Sequence, residues 1–158
     1  MTNIRIKAPI ERCFDAARDI ELHTKTVWPH TRERVIAGRI SGPINANETV
    51  TFQATHLLVR QTLTSRITEF QQPVRFTDEM VSGAFRTMKH KHMFRKINEQ
   101  ETMMTDILEF SAPMGLIGLA VERLVLRRYM QRFLEYRNQK LKSWLEDCQR
   151  EGMTPHVE

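Results

Sequence analysis

The feature that most limits what this chain can fold into is a change of hydrophobic period. From Val35 to Phe110 apolar residues recur in alternating runs separated by turn residues, whereas from Gly115 to about Gln149 they recur every three or four residues. The first region reads as strands. Val35–Ile40 ends at Gly42-Pro43, and Thr49–Thr55 places Val50, Phe52 and Ala54 on one face. Val59–Phe70 is broken by Pro73 and followed by Val74–Val81. Arg86–Ile97 follows the turn at Ser82-Gly83-Ala84, and Thr102–Phe110 follows the polar turn Asn98-Glu99-Gln100. Short turns between sequential strands predict an antiparallel meander. In the second region Gly118 is the single helix-breaking residue between Gly115 and Gln149. Leu126, Met130, Phe133, Leu141, Trp144 and Cys148 share one stripe, which predicts an amphipathic helix of about 30 residues.

The N-terminal part supplies smaller elements. Ile4-Arg5-Ile6 alternates as a short strand. Pro9 suits the first turn of a helix, and Ile10, Cys13, Phe14 and Ala17 form its apolar stripe. Asp19 is placed to cap a second short helix running to about Lys25.

These elements can bury their apolar faces together only if the long helix lies in the concave face of the sheet. A curved sheet and a straight helix do not fill the space between them, so an apolar pocket is expected there. In that register Phe52, Phe76, Met88, Met104 and Leu108 line a concave surface facing Met130 and Phe133.

Composition narrows the classes of function. The net charge of +5 is spread among both signs rather than gathered into one basic face, which argues against a nucleic-acid partner. The most apolar stretch, Pro113–Val121, is cut off by Glu122 and Arg123 well short of the roughly 20 residues that span a bilayer, so no integral membrane association is expected. Met1–Arg12 carries no apolar signal region, and Cys13 and Cys148 imply no disulfide framework. Both point to a cytoplasmic protein. Residues 1–152 are expected to form one domain, with 153–158 a frayed tail.

The segment with the most chemistry is Phe85–Phe94. Alternation puts Met88, His90, His92 and Phe94 on the concave face and Lys89, Lys91 and Arg95 on the other. Tight turns on either side set Asp78 opposite His90 and Asp106 opposite His92, giving two Asp/His pairs on faces that are otherwise apolar. Such pairs can fix strand register, anchor a ligand hydroxyl or carbonyl, or serve as an acid/base site. They also supply metal-ligand residue types, but His90-x-His92 with two aspartates is not a diagnostic metal spacing, and no metal, cofactor or catalytic residue is assigned. Arg137 falls on the buried helix stripe. It either snorkels out or pairs with a carboxylate, as most such arginines do, or it anchors an anionic ligand head such as a fatty-acid carboxylate.

Three stretches carry a family resemblance: Ala8-Pro9-Ile10-Glu11-Arg12-Cys13-Phe14-Asp15, Phe76-Thr77-Asp78-Glu79-Met80, and Phe110-Ser111-Ala112-Pro113-Met114-Gly115 leading into the final helix with Arg137-Asn138. Together with the order of elements, they resemble the START-like or SRPBCC superfamily, in particular its bacterial polyketide cyclase/dehydrase-like members. The resemblance implies an α+β helix-grip fold: a curved antiparallel sheet of about seven strands around a long C-terminal helix, with two short helices after the first strand. It implies binding of a small hydrophobic molecule that is lipid-, quinone- or polyketide-like. On the strand register and helix stripe read above, the binding residues would be Phe52, Phe76, Asp78, Met88, His90, His92, Met104, Asp106, Leu108, Met130, Phe133 and Arg137. An aromatase/cyclase enzyme using the His/Asp pairs is the first alternative, and a protein-interaction module with a packed core is the second. Only seven residues precede Ala8, so the first strand is short for the family.

Overall fold

In the computed structural model, which describes residues 1–111 and 125–151, β1 (Thr2–Ile6) leads into two helices, α1 (Ile10–Ala17) and α2 (Ile20–Thr26). One 3-10 turn at Pro29–Thr31 precedes β2 (Arg34–Gly38). Then come β3 (Thr49–His56), β4 (Val59–Gln71), β5 (Arg75–Ser82), β6 (Thr87–Asn98) and β7 (Glu101–Ser111). The last described element is α3 (Arg127–Arg150). The predicted strands are all present, with ends shifted by a residue or two. The predicted helix start at 115–124 and the tail 153–158 lie outside the described residues.

The seven strands form one antiparallel sheet in the order β1-β7-β6-β5-β4-β3-β2. The short first strand is paired along its whole length, from Thr2 opposite Asp106 to Ile6 opposite Thr102. Two register shifts between β4 and β5, with Val81 the extra residue on β5 and Thr68 the extra residue on β4, are bulges that bend the strands and help to cup the sheet. β2 stops at Gly38 rather than Ile40. Gly38 has φ +79, and a Cβ there would stand 2.2 Å from the Thr49 carbonyl oxygen, so the strand closes on β3 only with glycine.

The α1 stripe is buried as the spacing predicts, with Phe14 at its centre. The Phe14 ring meets Phe70, Phe76 and Phe94 edge-on at centroid distances of 5.4–5.5 Å. Pro9 is the residue before the helix rather than its first member. Asp19 caps α2, accepting a hydrogen bond from the Leu22 N–H at 2.9 Å. α3 packs on β1, α1 and α2 and buries Phe133, Leu134, Arg137, Asn138, Leu141, Leu145 and Cys148. The core is therefore continuous beneath α1 and the C-terminal half of α3, and includes Ile4, Ile6, Phe94 and Met104.

The β3–β4 connection is unusual. Its two central residues, Leu57 (φ 49) and Leu58 (φ 67), are both left-handed, and Leu58 is 98% exposed. Among the described residues no helix is long and apolar enough to cross a membrane.

Candidate functional site

Where α3 rises away from β3 and β4, a cavity of about 340 Å³ remains. The sheet contributes Val50, Phe52, Ile67, Phe76, Met88 and Leu108 to its walls, α2 contributes Ile20, and α3 contributes Met130, Phe133 and Leu134. The strand alternation that placed these side chains on one face in sequence places them on one concave wall here.

The floor of the cavity is polar. Asp78 lies opposite His90 across β5–β6, and His92 lies opposite Asp106 across β6–β7. They do not behave as two separate pairs. His92 Nδ1 is 2.6 Å from Asp106 Oδ1, while its Nε2 is 3.4 Å from Asp78 Oδ1. His90 bridges the same two carboxylates more loosely, with Nδ1 3.7 Å from Asp78 Oδ1 and Nε2 3.6 Å from Asp106 Oδ1. The two imidazoles are 3.9 Å apart, and Phe76 stacks on His92 at 4.3 Å. Pairing the residues one to one from the register was therefore incomplete. Side chains two apart on β6 point the same way and share both partners.

Burial and charge split the titration of this group. Burial would push Asp106 up, but the His92 charge and both rings hold it well below the usual carboxylate range. Asp78 is likewise opposed by burial and ends lowered by His92 and His90. Burial and the neighbouring His92 charge lower His90. For His92 burial acts downward, yet Asp106 and Asp78 outweigh it and raise it. Two adjacent histidines thus differ in proton affinity because one sits squarely against the enclosed aspartate.

Arg137 is fully enclosed, 3% exposed on α3. It donates from Nη2 to the Ala17 carbonyl at 3.1 Å and holds Nη1 3.9 Å from Asp106 Oδ2. Of the fates expected for it, the carboxylate partner is met by Asp106, although the side chain also reaches the cavity wall.

A second polar cluster also lines the cavity. Glu33, in the loop before β2, has a side chain only 6% exposed. Its Oε1 is 2.7 Å from His23 Nε2 on α2, and its Oε2 is 3.9 Å from His56 Nε2 at the end of β3. His56 Nδ1 meets the Tyr129 hydroxyl at 2.9 Å. Burial opposes the Glu33 charge, but His23 and His56 hold its carboxyl below the usual range. Burial lowers His56. Trp28 packs beside this cluster, edge-on to Tyr129 and Phe133. None of these residues except Phe133 was singled out from sequence. The available signal was the extension of one recognised face by two residues, from Ala54 to His56.

Of the residues singled out from sequence, Phe52, Phe76, Asp78, Met88, His90, His92, Leu108, Met130, Phe133 and Arg137 all line the cavity. Met104 and Asp106 do not. Met104 is fully buried in the core, in register between Ile4 of β1 and Phe94 of β6. Asp106 is fully buried beneath His92. Both belong to β7, between β1 and β6 in the sheet, where α1 packs on its face and Arg137 of α3 reaches Asp106, so facing the concave side there means facing packed core.

No protein-family model matches the chain, and no curated protein matches it. Solved structures do match along nearly the full length. The Zhui aromatase/cyclase from Streptomyces sp. R1128 superposes with a TM-score of 0.76 at 13% identity, covering 97% of this chain and 96% of that one. A START superfamily protein from Mycobacterium smegmatis gives 0.69 at 12% identity, covering 92% and 95%. A protein of Thermus thermophilus gives 0.70 at 17% identity, covering 93% and 96%. The fold is the START-like helix-grip fold, as the three sequence stretches implied.

Proposed function

We propose that the protein binds a small, mostly apolar molecule carrying a polar oxygen function, in the cavity between the sheet and α3. One observation carries this reading. The cavity, about 340 Å³, has hydrocarbon and aromatic walls and a floor where polar groups converge, within the roughly 300–1,000 Å³ typical of small-molecule sites. The walls supply affinity, and the Asp78/His90/His92 floor supplies orientation. A protein-interaction module with a closed core is the reading this cavity disfavours.

Aromatase/cyclase chemistry is the second reading. Its support is the split between His90 and His92, which gives one ring suited to accept a proton and one suited to donate it, side by side at the cavity floor. The Zhui structure, an aromatase/cyclase, has the same fold, and fold alone does not transfer the activity.

The test compares two probes, naphthalene and 2-naphthol, titrated in the presence of a chelator. Both are expected to saturate. His90→Gln should weaken 2-naphthol by about 1–3 kcal/mol, the cost of leaving a buried polar group unpaired, and leave naphthalene nearly unchanged. Failure of both probes to saturate the wild type sinks the ligand-binding reading. An equal loss for both in His90→Gln removes the floor from it.

A further inference from the structure

We propose that Asp78, His90 and His92 form a site for one divalent transition-metal ion, with Asp106 behind them as the carboxylate that orients both rings. The inference goes beyond ligand binding and stands without it, since it rests on the geometry of four side chains.

One ligand atom from each of the three residues lies within 4.8 Å of the other two. Asp78 Oδ1 is 3.7 Å from His90 Nδ1 and 3.4 Å from His92 Nε2. An ion bound ~2.1 Å from each of its ligands sets those ligands roughly 3 to 3.5 Å apart. The three atoms are thus nearly at ligating distance, and a small rotation of the half-buried Asp78 closes the difference. In each ring the nitrogen remote from Asp78 faces Asp106 Oδ1, at 2.6 Å from His92 and 3.6 Å from His90. A carboxylate behind a ligating imidazole is the usual way to fix its tautomer and orientation.

One detail sets this arrangement apart from a register-fixing ion pair. A single imidazole would satisfy a buried aspartate, yet here two rings each span the same two carboxylates. Arg137, 3.9 Å from Asp106 Oδ2, balances the Asp106 charge and keeps that carboxylate behind the site rather than in it.

The donor set fixes the class of ion. Two imidazoles and one carboxylate suit Zn²⁺, Fe²⁺, Co²⁺ or Ni²⁺, whereas Mg²⁺ and Ca²⁺ prefer all-oxygen shells. All three ligands line the cavity, so the remaining coordination positions face it and can take water or an oxygen of a bound molecule. The frame is rigid, because β5 and β6 hold Asp78 and His90 in register inside the sheet.

The experiment uses the full chain stripped with chelator and dialysed. Zn²⁺ is titrated by calorimetry at neutral pH, and Co²⁺ by its visible absorption. One ion per chain is expected, with a micromolar or tighter Kd. Asp78→Asn and His90→Gln should each weaken binding at least ~100-fold, and Asp106→Asn by ~10–100-fold. His30→Gln, on the exposed 3-10 turn, should change nothing. Circular dichroism checks that each variant is folded. Should a variant not fold, paramagnetic shifts of the Met88 methyl with Co²⁺ on the wild type locate the ion without substitution. No saturable uptake at about 1 mM Zn²⁺, unaltered affinity in folded His90→Gln, or paramagnetic shifts centred on His30 would each overturn the proposal. Because the naphthol titration is run with chelator, either result can fail without the other.

Discussion

Among the described residues, two carboxylate–histidine clusters line the cavity, and they are built in opposite ways. The floor cluster hangs on three adjacent strands, and its central carboxylate, Asp106, is wholly enclosed. The rim cluster joins a loop, a helix, a strand end and a second helix around Glu33, whose neighbours His23 and His56 remain partly open to solvent. Backbone hydrogen bonds dictate the first, whereas the second exists only when separate elements have docked. The difference teaches where the energy resides. At Asp106, charge is taken fully out of water and must be compensated at fixed positions. At Glu33 the carboxylate is nearly as enclosed, but its partners His23 and His56 keep some access to solvent, which can make good part of a loss.

Three substitutions sharpen or break this contrast. Asp106→Asn keeps shape and removes the charge facing His92 and Arg137. Leaving buried cations uncompensated should cost about 3–5 kcal/mol, read as a lower urea midpoint at unchanged m-value. A cost under ~1 kcal/mol would mean that the floor is far wetter than its enclosure implies. Glu33→Gln should cost less, about 1.5–3 kcal/mol at neutral pH, the range for a hydrogen bond to a charged group. Its pH dependence has a defined sign. The folded carboxyl lies below its usual range, so its contribution is present above the unfolded value, ~4.3, and is lost as pH falls through the folded value. The gap between wild type and Glu33→Gln should therefore narrow below about pH 4.3, and a gap that widens there would reverse the assignment. Lys89→Ala is the smallest. Lys89 lies on the far face of the same strand, between Glu69 at 3.3 Å and Glu79 at 2.9 Å, and exposed pairs of this kind contribute about 0.2–1 kcal/mol. A loss as large as that of Glu33→Gln would show that burial does not rank these groups.

The same contrast explains what could be read from sequence. Asp78 opposite His90 and Asp106 opposite His92 follow from alternation and two turns, and both registers are found. What alternation does not give is how side chains two apart on β6 share partners, nor that the concave face of β7 is filled where α1 packs on it, which takes Met104 and Asp106 off the cavity wall. The rim contacts span 10 residues of chain from His23 to Glu33 and 73 from His56 to Tyr129, and no local period links a loop to a helix end. Arg32, with φ 49, turns the chain just before Glu33, and nothing in its identity announces that conformation.

The left-handed pair Leu57-Leu58 bears on how the sheet assembles. Turns of this kind favour Asn-Gly, and a side chain with a Cβ costs roughly 1–2 kcal/mol at each such position. The β3–β4 hairpin is therefore a poor nucleus on its own. It has outside help: the Tyr129 hydroxyl of α3 meets Nδ1 of His56, the residue just before the turn, at 2.9 Å. Closure of this hairpin is thus coupled to the seating of α3. By contrast, β6 and β7, joined through Asn98-Glu99-Gln100 with the Asn98 side chain bonded to the Gln100 N–H, carry their own turn chemistry.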